Sequence, residues 1–378
     1  MFIKINYNLK LIVGLILLSR WGFFVYLPFF NFENEFGERI SPLIPQSKGD
    51  ISFFSKFKDD AWRPLINLIQ VQNFESLNDW ILNDFYPGPF FPWLLKLTGY
   101  VDGTTYILPV FFTVFGIINC IIWSLNLRTL NATLTEQILV ILYPNLIYYT
   151  FVISTDMLFC LFFGMFYYLL KLKERNIFNF SILFFLILMC SVTRPNFLIL
   201  LPLLGYYLWT SRSYFTKFTF IVSIISVFLL GAISIVYYLP YFLAYNNASS
   251  VISYWGVTQK TYLNGIFVNL PEFLNLTFSW LILGLSKIIY LTGLRPSYSG
   301  MDNTIVLIRS LGGVMILPGI FYLLLRGENF EKLIFIIFVS PVLIGASQER
   351  YLMPICPILI FYGSQFWKEF IKKINYYK

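Results

Sequence analysis

Histidine is absent from all 378 positions of the chain. The side chain whose ordinary titration falls nearest neutral pH is therefore missing, and a carboxylate is left as the general base for any proton-transfer chemistry. Charge is also scarce: 12% of residues are charged, against 58% hydrophobic and 20% aromatic. With a mean hydropathy of +0.70, that is too few charges to coat a soluble globule of this length, so the composition predicts a bilayer as the solvent. The four cysteines, Cys120, Cys160, Cys190 and Cys356, lie in apolar windows without short ligand spacing. This excludes a disulfide framework and a zinc site. There is no glycine-rich phosphate loop, no internal repeat, no low-complexity linker and no basic-aromatic run of the kind that binds nucleic acid.

What the chain has in abundance is apolar sequence. Windows approaching the roughly 20 residues of a spanning helix recur at 9–30, 105–125, 137–154, 156–171, 178–193, 196–210, 218–239, 304–325, 331–346 and 351–367. The expectation is an all-α polytopic membrane protein, residues 1–378 forming a single integral membrane domain with about ten transmembrane helices. The first window, which begins among Lys4 and Lys10, reads as a retained span because no small-residue cleavage site follows it.

Charge orients this arrangement. With the N-terminus inside and 267–293 not crossing, the cytoplasmic segments hold fourteen basic and five acidic residues, a net of +9, and the remainder holds thirteen and fourteen, a net of −1. That positive-inside bias predicts a multi-pass protein with both termini cytoplasmic, in a bacterial inner or plasma membrane, with membrane lipids as partners. Segment 267–293 then becomes an eleventh, re-entrant or interfacial element.

The nineteen acids are unevenly placed: ten lie in the hydrophilic stretch 31–103, the large first extracytoplasmic loop of this topology. Asp59-Asp60 opens a short amphipathic helix over 61–71, in which Pro64 falls in the first turn. Either Asp serves equally as a helix cap and as a base for an acceptor hydroxyl. Tyr86-Pro87-Gly88-Pro89-Phe90-Phe91-Pro92 follows, a rigid aromatic turn that fits a lead-in to the next span or the wall of a lipid groove. Three further groups fall on the same face: Ser154-Thr155-Asp156, where Asp156 reads as a helix cap or a ligand; Thr193-Arg194-Pro195; and Glu349-Arg350-Tyr351 with Pro354. Arginine forks bind phosphate bidentately, although arginines at such depth also snorkel to headgroups. Arg20, inside the first apolar window, is expected to face the protein interior or a water-filled cavity.

The order of Arg20, Asp59-Asp60, Tyr86 to Pro92, Asp156, Arg194-Pro195 and Arg350-Tyr351-x-x-Pro354 resembles the GT-C superfamily of integral membrane glycosyltransferases. The resemblance runs from about residue 9 to 367 as a layout of individually weak motifs. It implies transfer of a sugar from a polyprenyl-phosphate carrier to a hydroxyl acceptor on the extracytoplasmic side, with Asp59 or Asp60 as general base or metal ligand. Arg20, Arg63, Asp156, Arg194, Arg350 and Tyr351 are then the substrate and phosphate candidates. No cofactor is required by the motifs; if a cation takes part, Mg2+ or Mn2+ on Asp59, Asp60 or Asp156 fits oxygen ligation. The chain lacks the soluble C-terminal domain of oligosaccharyltransferases, and its long first loop makes Glu33, Glu35 and Glu38 rivals for the catalytic acid. A lipid-linked glycan polymerase or ligase, a lipid or glycan transporter and a structural protein remain as alternatives.

Overall fold

The computed structural model describes residues 7–22, 32–33, 39–40, 107–151, 155–172, 176–193, 200–247, 310–344 and 349–376, together with 90, 94, 271, 274, 285, 288–289 and 291–294. Helix accounts for 91% of these residues. Two short strands, β1 (Phe32–Glu33) and β2 (Arg39–Ile40), pair antiparallel with Glu33 opposite Arg39. The chain divides into two compact units, one of Met1–Ile224 with Ser297–Ile308, the other of Ile225–Pro296 with Arg309–Lys378.

The first unit begins with α1 (Tyr7–Leu17), which runs into a π-helical turn, Leu18–Gly22. Then come α2 (Ile107–Thr129), α3 (Leu134–Ile141), α4 (Pro144–Phe151), α5 (Thr155–Lys171), α6 (Ile177–Thr193) and α7 (Leu201–Ser211). The pairing of α2 with α5 forms its centre. Trp123 stacks on Tyr167 with ring centroids 5.7 Å apart, and Phe163, Phe166 and Tyr167 are fully buried. Each such side chain contributes about 1.5–3 kcal/mol by leaving water. Gly164 permits the close approach, because a Cβ there would stand 3.1 Å from Trp123 Nε1. Asn126 Nδ2 uses the space to donate to the Gly164 carbonyl at 2.8 Å.

Local chemistry sets the ends of α2 and α3. Asn131 takes a left-handed φ of 58°, while Ala132 N–H donates to Leu127 O and Asn131 N–H to Arg128 O, a Schellman closure of α2. Glu136 then reaches back over the start of α3, accepting from Thr133 N–H at 2.5 Å and Thr133 Oγ1 at 2.8 Å. This is the carboxylate half of a capping box, with the acid at the positive end of the helix. Pro144 opens α4 at the position where a missing N–H is harmless.

α8 (Lys217–Asn247) passes from the first unit into the second. The second unit also holds α9 (Gly313–Arg326), α10 (Asn329–Ile344), a 3-10 run at Glu349–Ile355 and α11 (Cys356–Tyr376). Helices α9 and α11 meet backbone to backbone: a Cβ on Gly319 would strike the Leu359 carbonyl, and one on Gly363 the Met315 carbonyl. Trp367 Nε1 donates to Val314 O at 3.0 Å and Tyr322 Oη to Glu369 Oε1 at 2.6 Å, both between these helices.

The expected set of about ten transmembrane helices is overturned, and with it the multi-pass integral placement, cytoplasmic termini and extracytoplasmic site. Among the described residues no helix is long and apolar enough to cross a membrane. Several apolar windows break into shorter pieces. Window 137–154 becomes two helices of 8 residues on either side of Leu142-Tyr143; the first helix ends after 11 residues and turns π-helical around Ser19-Arg20; the last window starts as a 3-10 run containing Pro354. The pieces of 8 and 11 residues span about 12–17 Å at 1.5 Å per residue, far less than the roughly 30 Å hydrocarbon layer. The amphipathic helix expected at 61–71 lies outside the described residues, as does most of segment 267–293.

Candidate functional site

The π-helical turn after α1 carries Arg20 into the interior of the first unit. The widened turn, a feature often found at functional sites, aims the side chain between α2 and the end of α3, and the residue is fully buried. Its Nη1 donates to the carbonyl oxygen of Ile141 and, at 2.8 Å, to Ser19 Oγ, which in turn donates to Ile16 O at 3.2 Å. Ile141 is the last residue of α3, so its carbonyl is one of those a helix end leaves without an intrahelical donor. A cation is favoured there. Around this contact Ile12, Ile16, Cys120 and Ile141 form an apolar cluster, with Leu15, Ile117 and Leu134 packed against it.

The other edge of the guanidinium is different. Among the described residues, Arg20 Nε and Nη2 have no hydrogen-bond acceptor. Cys120 favours the charged guanidinium, by its charge and as a weak sulfur acceptor, but burial dominates and pushes Arg20 below its ordinary value. Burial likewise pushes the Cys120 thiol up, so it sits there protonated, and a thiol is a weak acceptor. Glu136, at the far end of α3, is occupied with Thr133. It stands five residues from Ile141, about 7.5 Å along the axis. A buried, positively charged fork with one edge open is chemically suited to an anion, most of all to the paired oxygens of a phosphate.

Asp156 lies in the first turn of α5, buried, with its carboxylate at the positive end of the helix dipole. Six residues further along α5, about 9 Å, Phe162 meets Phe90 of the proline-aromatic turn with ring centroids 6.3 Å apart. Leu94, just beyond that turn, is buried. The stretch 31–103 therefore touches α5 at the end of the segment that carries the acidic pair.

Asp59, Asp60, Arg63 and Arg194 lie outside the described residues, as do Glu35 and Glu38. Glu33 is placed in β1 by its backbone. Arg350 and Tyr351 belong to the second unit, in the 3-10 run Glu349–Ile355, where Tyr351 is half-buried. Of the eight site residues expected from sequence, the first unit thus places Arg20 and Asp156, each in a buried polar position. The partners of Arg20 carry no sequence signal: Cys120 lies in an apolar window like the other cysteines, and a backbone carbonyl leaves no mark in the letters. Two further buried polar side chains on α2, Asn119 and Asn126, each keep an Oδ1 without a partner among the described residues.

No set of three or more Asp, Glu, Cys or His side chains among the described residues is arranged to hold a metal ion. Asp156 alone, one carboxylate, falls short of the near-octahedral oxygen shell of Mg2+. Comparison with protein-family models, with curated proteins and with solved structures returned no match.

Proposed function

We propose that the chain is a glycosyltransferase that moves a sugar from a polyprenyl-phosphate carrier to a hydroxyl acceptor. The observation that carries this reading is the open edge of Arg20: a fully buried guanidinium with two nitrogens lacking acceptors among the described residues. An uncompensated buried charge costs several kcal/mol, and a phosphate oxygen pair supplies the missing acceptors. The motif order from Arg20 through Asp59-Asp60 to Arg350-Tyr351 supplies the rest of the argument.

In this mechanism the acceptor oxygen attacks the anomeric carbon, the bond from that carbon to the phosphate oxygen breaks, and the proton of the hydroxyl passes to Asp59 or Asp60. Arg20 stabilises the charge that develops on the departing phosphate, with Arg63 and Arg194 as further candidates for that anion. Donors fixed where charge develops are worth more in a dry site than in water. A carboxylate base is the one consistent with a chain that has no histidine.

The test is sugar transfer from a purified polyprenyl-phosphate donor. Asp59→Asn and Asp60→Asn still cap a helix but accept no proton, so loss of the true base lowers turnover by roughly 10²–10⁴-fold. Arg20→Lys keeps the charge and loses the fork, weakening donor binding by about 1–3 kcal/mol. Full turnover in both Asn variants removes the catalytic assignment, and unchanged donor affinity in Arg20→Lys removes the phosphate site.

A further inference from the structure

One face of the first unit combines exposed apolar side chains with cations, and the described residues of α6, α7 and the first turns of α8 that form it include no acid. Along α7, Tyr206 and Trp209 are exposed, Trp209 to 64%; the 3-10 turn that follows exposes Arg212 and Tyr214; and α8 opens with exposed Lys217, then Phe218 at 76%, Ile221 and Val222. From α6, Ile177 and Phe178 are exposed in the same way. The ends of these helices are tied together, since Phe180 of α6 and Phe215, the residue after Tyr214, meet edge to face with centroids 6.1 Å apart. Thr216 fixes the start of α8 by accepting from Thr219 N–H at 3.2 Å.

Charge decides what this face meets. Between Glu174 and Glu272 the sequence contains no acidic residue, so neither α7 nor α8 supplies a carboxylate to Arg212 and Lys217. The Arg212 guanidinium carbon stands 4.6 Å from the centre of the Trp209 ring, which holds the charged head over the indole face. Amphipathic aromatics and long cations at the rim of an apolar surface suit the boundary between lipid headgroups and acyl chains, where ring bodies sit in the apolar side and charged tips reach the headgroups. A second copy fits poorly, because a two-fold contact brings the same cations together and the described residues of the face offer no acid on either side.

We infer that this face, centred on Trp209, Arg212, Lys217 and Phe218, docks on a lipid surface that carries anionic headgroups. Trp209, Phe218, Ile221 and Val222 enter the acyl boundary, and Arg212 and Lys217 contact the phosphates. The inference stands apart from the sugar-transfer reading: it concerns contact with bulk lipid and neither needs nor predicts a donor site.

The four native cysteines are free and buried, so Ser213→Cys in the full chain gives one accessible thiol for a polarity-sensitive dye beside the face. The labelled chain is mixed with vesicles of phosphatidylcholine alone or of phosphatidylcholine with phosphatidylglycerol. The dye signal should shift to shorter wavelength on the anionic vesicles, and added salt should reverse much of the shift. Neutralising the two exposed cations in R212Q/K217Q should weaken partition to the anionic vesicles by roughly 30-fold, the product of two near-surface charges, with little effect on phosphatidylcholine. Trp209→Ser should weaken partition to both. The inference is overturned if R212Q/K217Q partitions as the parent does, if the dye reports no change on anionic vesicles, or if it is already shielded in lipid-free buffer by self-association or by a bound protein.

Discussion

Arg20 and Ile141 stand 121 positions apart, and the guanidinium of one closes the helix that ends at the other. Helix α3 is only 8 residues long, below the length at which an isolated helix holds itself together. It is held at both ends: Glu136 folds back on Thr133 at the start, and Arg20 meets the last carbonyl. Acid sits at the positive end of the dipole and cation at the negative end, so the short helix is an electrostatic bridge between its cap and the turn that carries Arg20.

That arrangement predicts separable losses. Thr133→Ala and Glu136→Gln should each destabilise the fold by about 1 kcal/mol, the usual worth of a cap, without altering affinity for polyprenyl phosphate. Arg20→Lys should cost a similar amount or less, since the charge at the end of α3 remains, yet it should lose donor affinity. Denaturant midpoints paired with donor-binding isotherms distinguish the two patterns. Equal donor-affinity losses in all three variants would show that Arg20 acts only through the fold.

Helices α9 and α11 give a stability prediction of the opposite kind from two other glycines. Gly319→Ala and Gly363→Ala drive a methyl into a facing carbonyl, of Leu359 and Met315 respectively, and should destabilise by about 1–3 kcal/mol or more through overpacking. Gly14 in α1 and Gly205 in α7 have nothing within 4 Å of the same position. Alanine at either should stabilise by about 1 kcal/mol, as helix propensity alone requires. Thermal or urea unfolding of the four single variants checks the contrast.

Thiol chemistry offers a third test. All four cysteines are buried and free, and burial pushes the Cys120 and Cys190 thiols well above their ordinary value. None should react with a thiol-exchange reagent at neutral pH before unfolding, because the thiolate is the nucleophile. Stoichiometric early labelling of any of them would contradict the packing around α2, α5, α6 or α11.

Helix positions were largely legible in the letters, and for a physical reason. Windows 156–171 and 178–193 match α5 and α6 within a residue, because each is a continuous apolar run bounded by polar residues. Helix length was less legible. Pro144 stands in the middle of window 137–154, and hydropathy alone runs straight across it, whereas the backbone stops α3 and restarts as α4. The inward direction of Arg20 followed from the cost of leaving a charge against apolar surroundings, but its partner, a backbone carbonyl far along the chain, has no sequence signature. Glu136 is legible as T-x-x-E at 133–136, the pattern of a capping box.

A last prediction concerns alkaline pH and the second unit. Burial, followed by the nearby carboxylate of Glu331, pushes the phenol of Tyr362 up to about 12. Tyr322, whose hydroxyl donates to Glu369 Oε1 at 2.6 Å, is also raised, chiefly because that hydrogen bond needs its proton. In the unfolded chain both phenols titrate near about 10. Between about pH 10 and 12 the folded chain therefore holds protons that the unfolded chain has released, and stability must fall as pH rises through this window, since the slope follows the difference in bound protons. Below about pH 10 both states are protonated and the contribution is fully present. Urea unfolding at stepped pH should show a midpoint that is flat up to that point and then declines. Tyr362→Phe removes one titrating group and should flatten the decline, even though the variant forfeits the 3.5 Å contact from Glu328 N–H to the phenol oxygen. Tyr322→Phe should flatten it as well, while lowering the plateau by about 1 kcal/mol for the lost hydrogen bond. An undiminished alkaline decline in the double variant would place its origin in other groups and sink the assignment to this tyrosine pair.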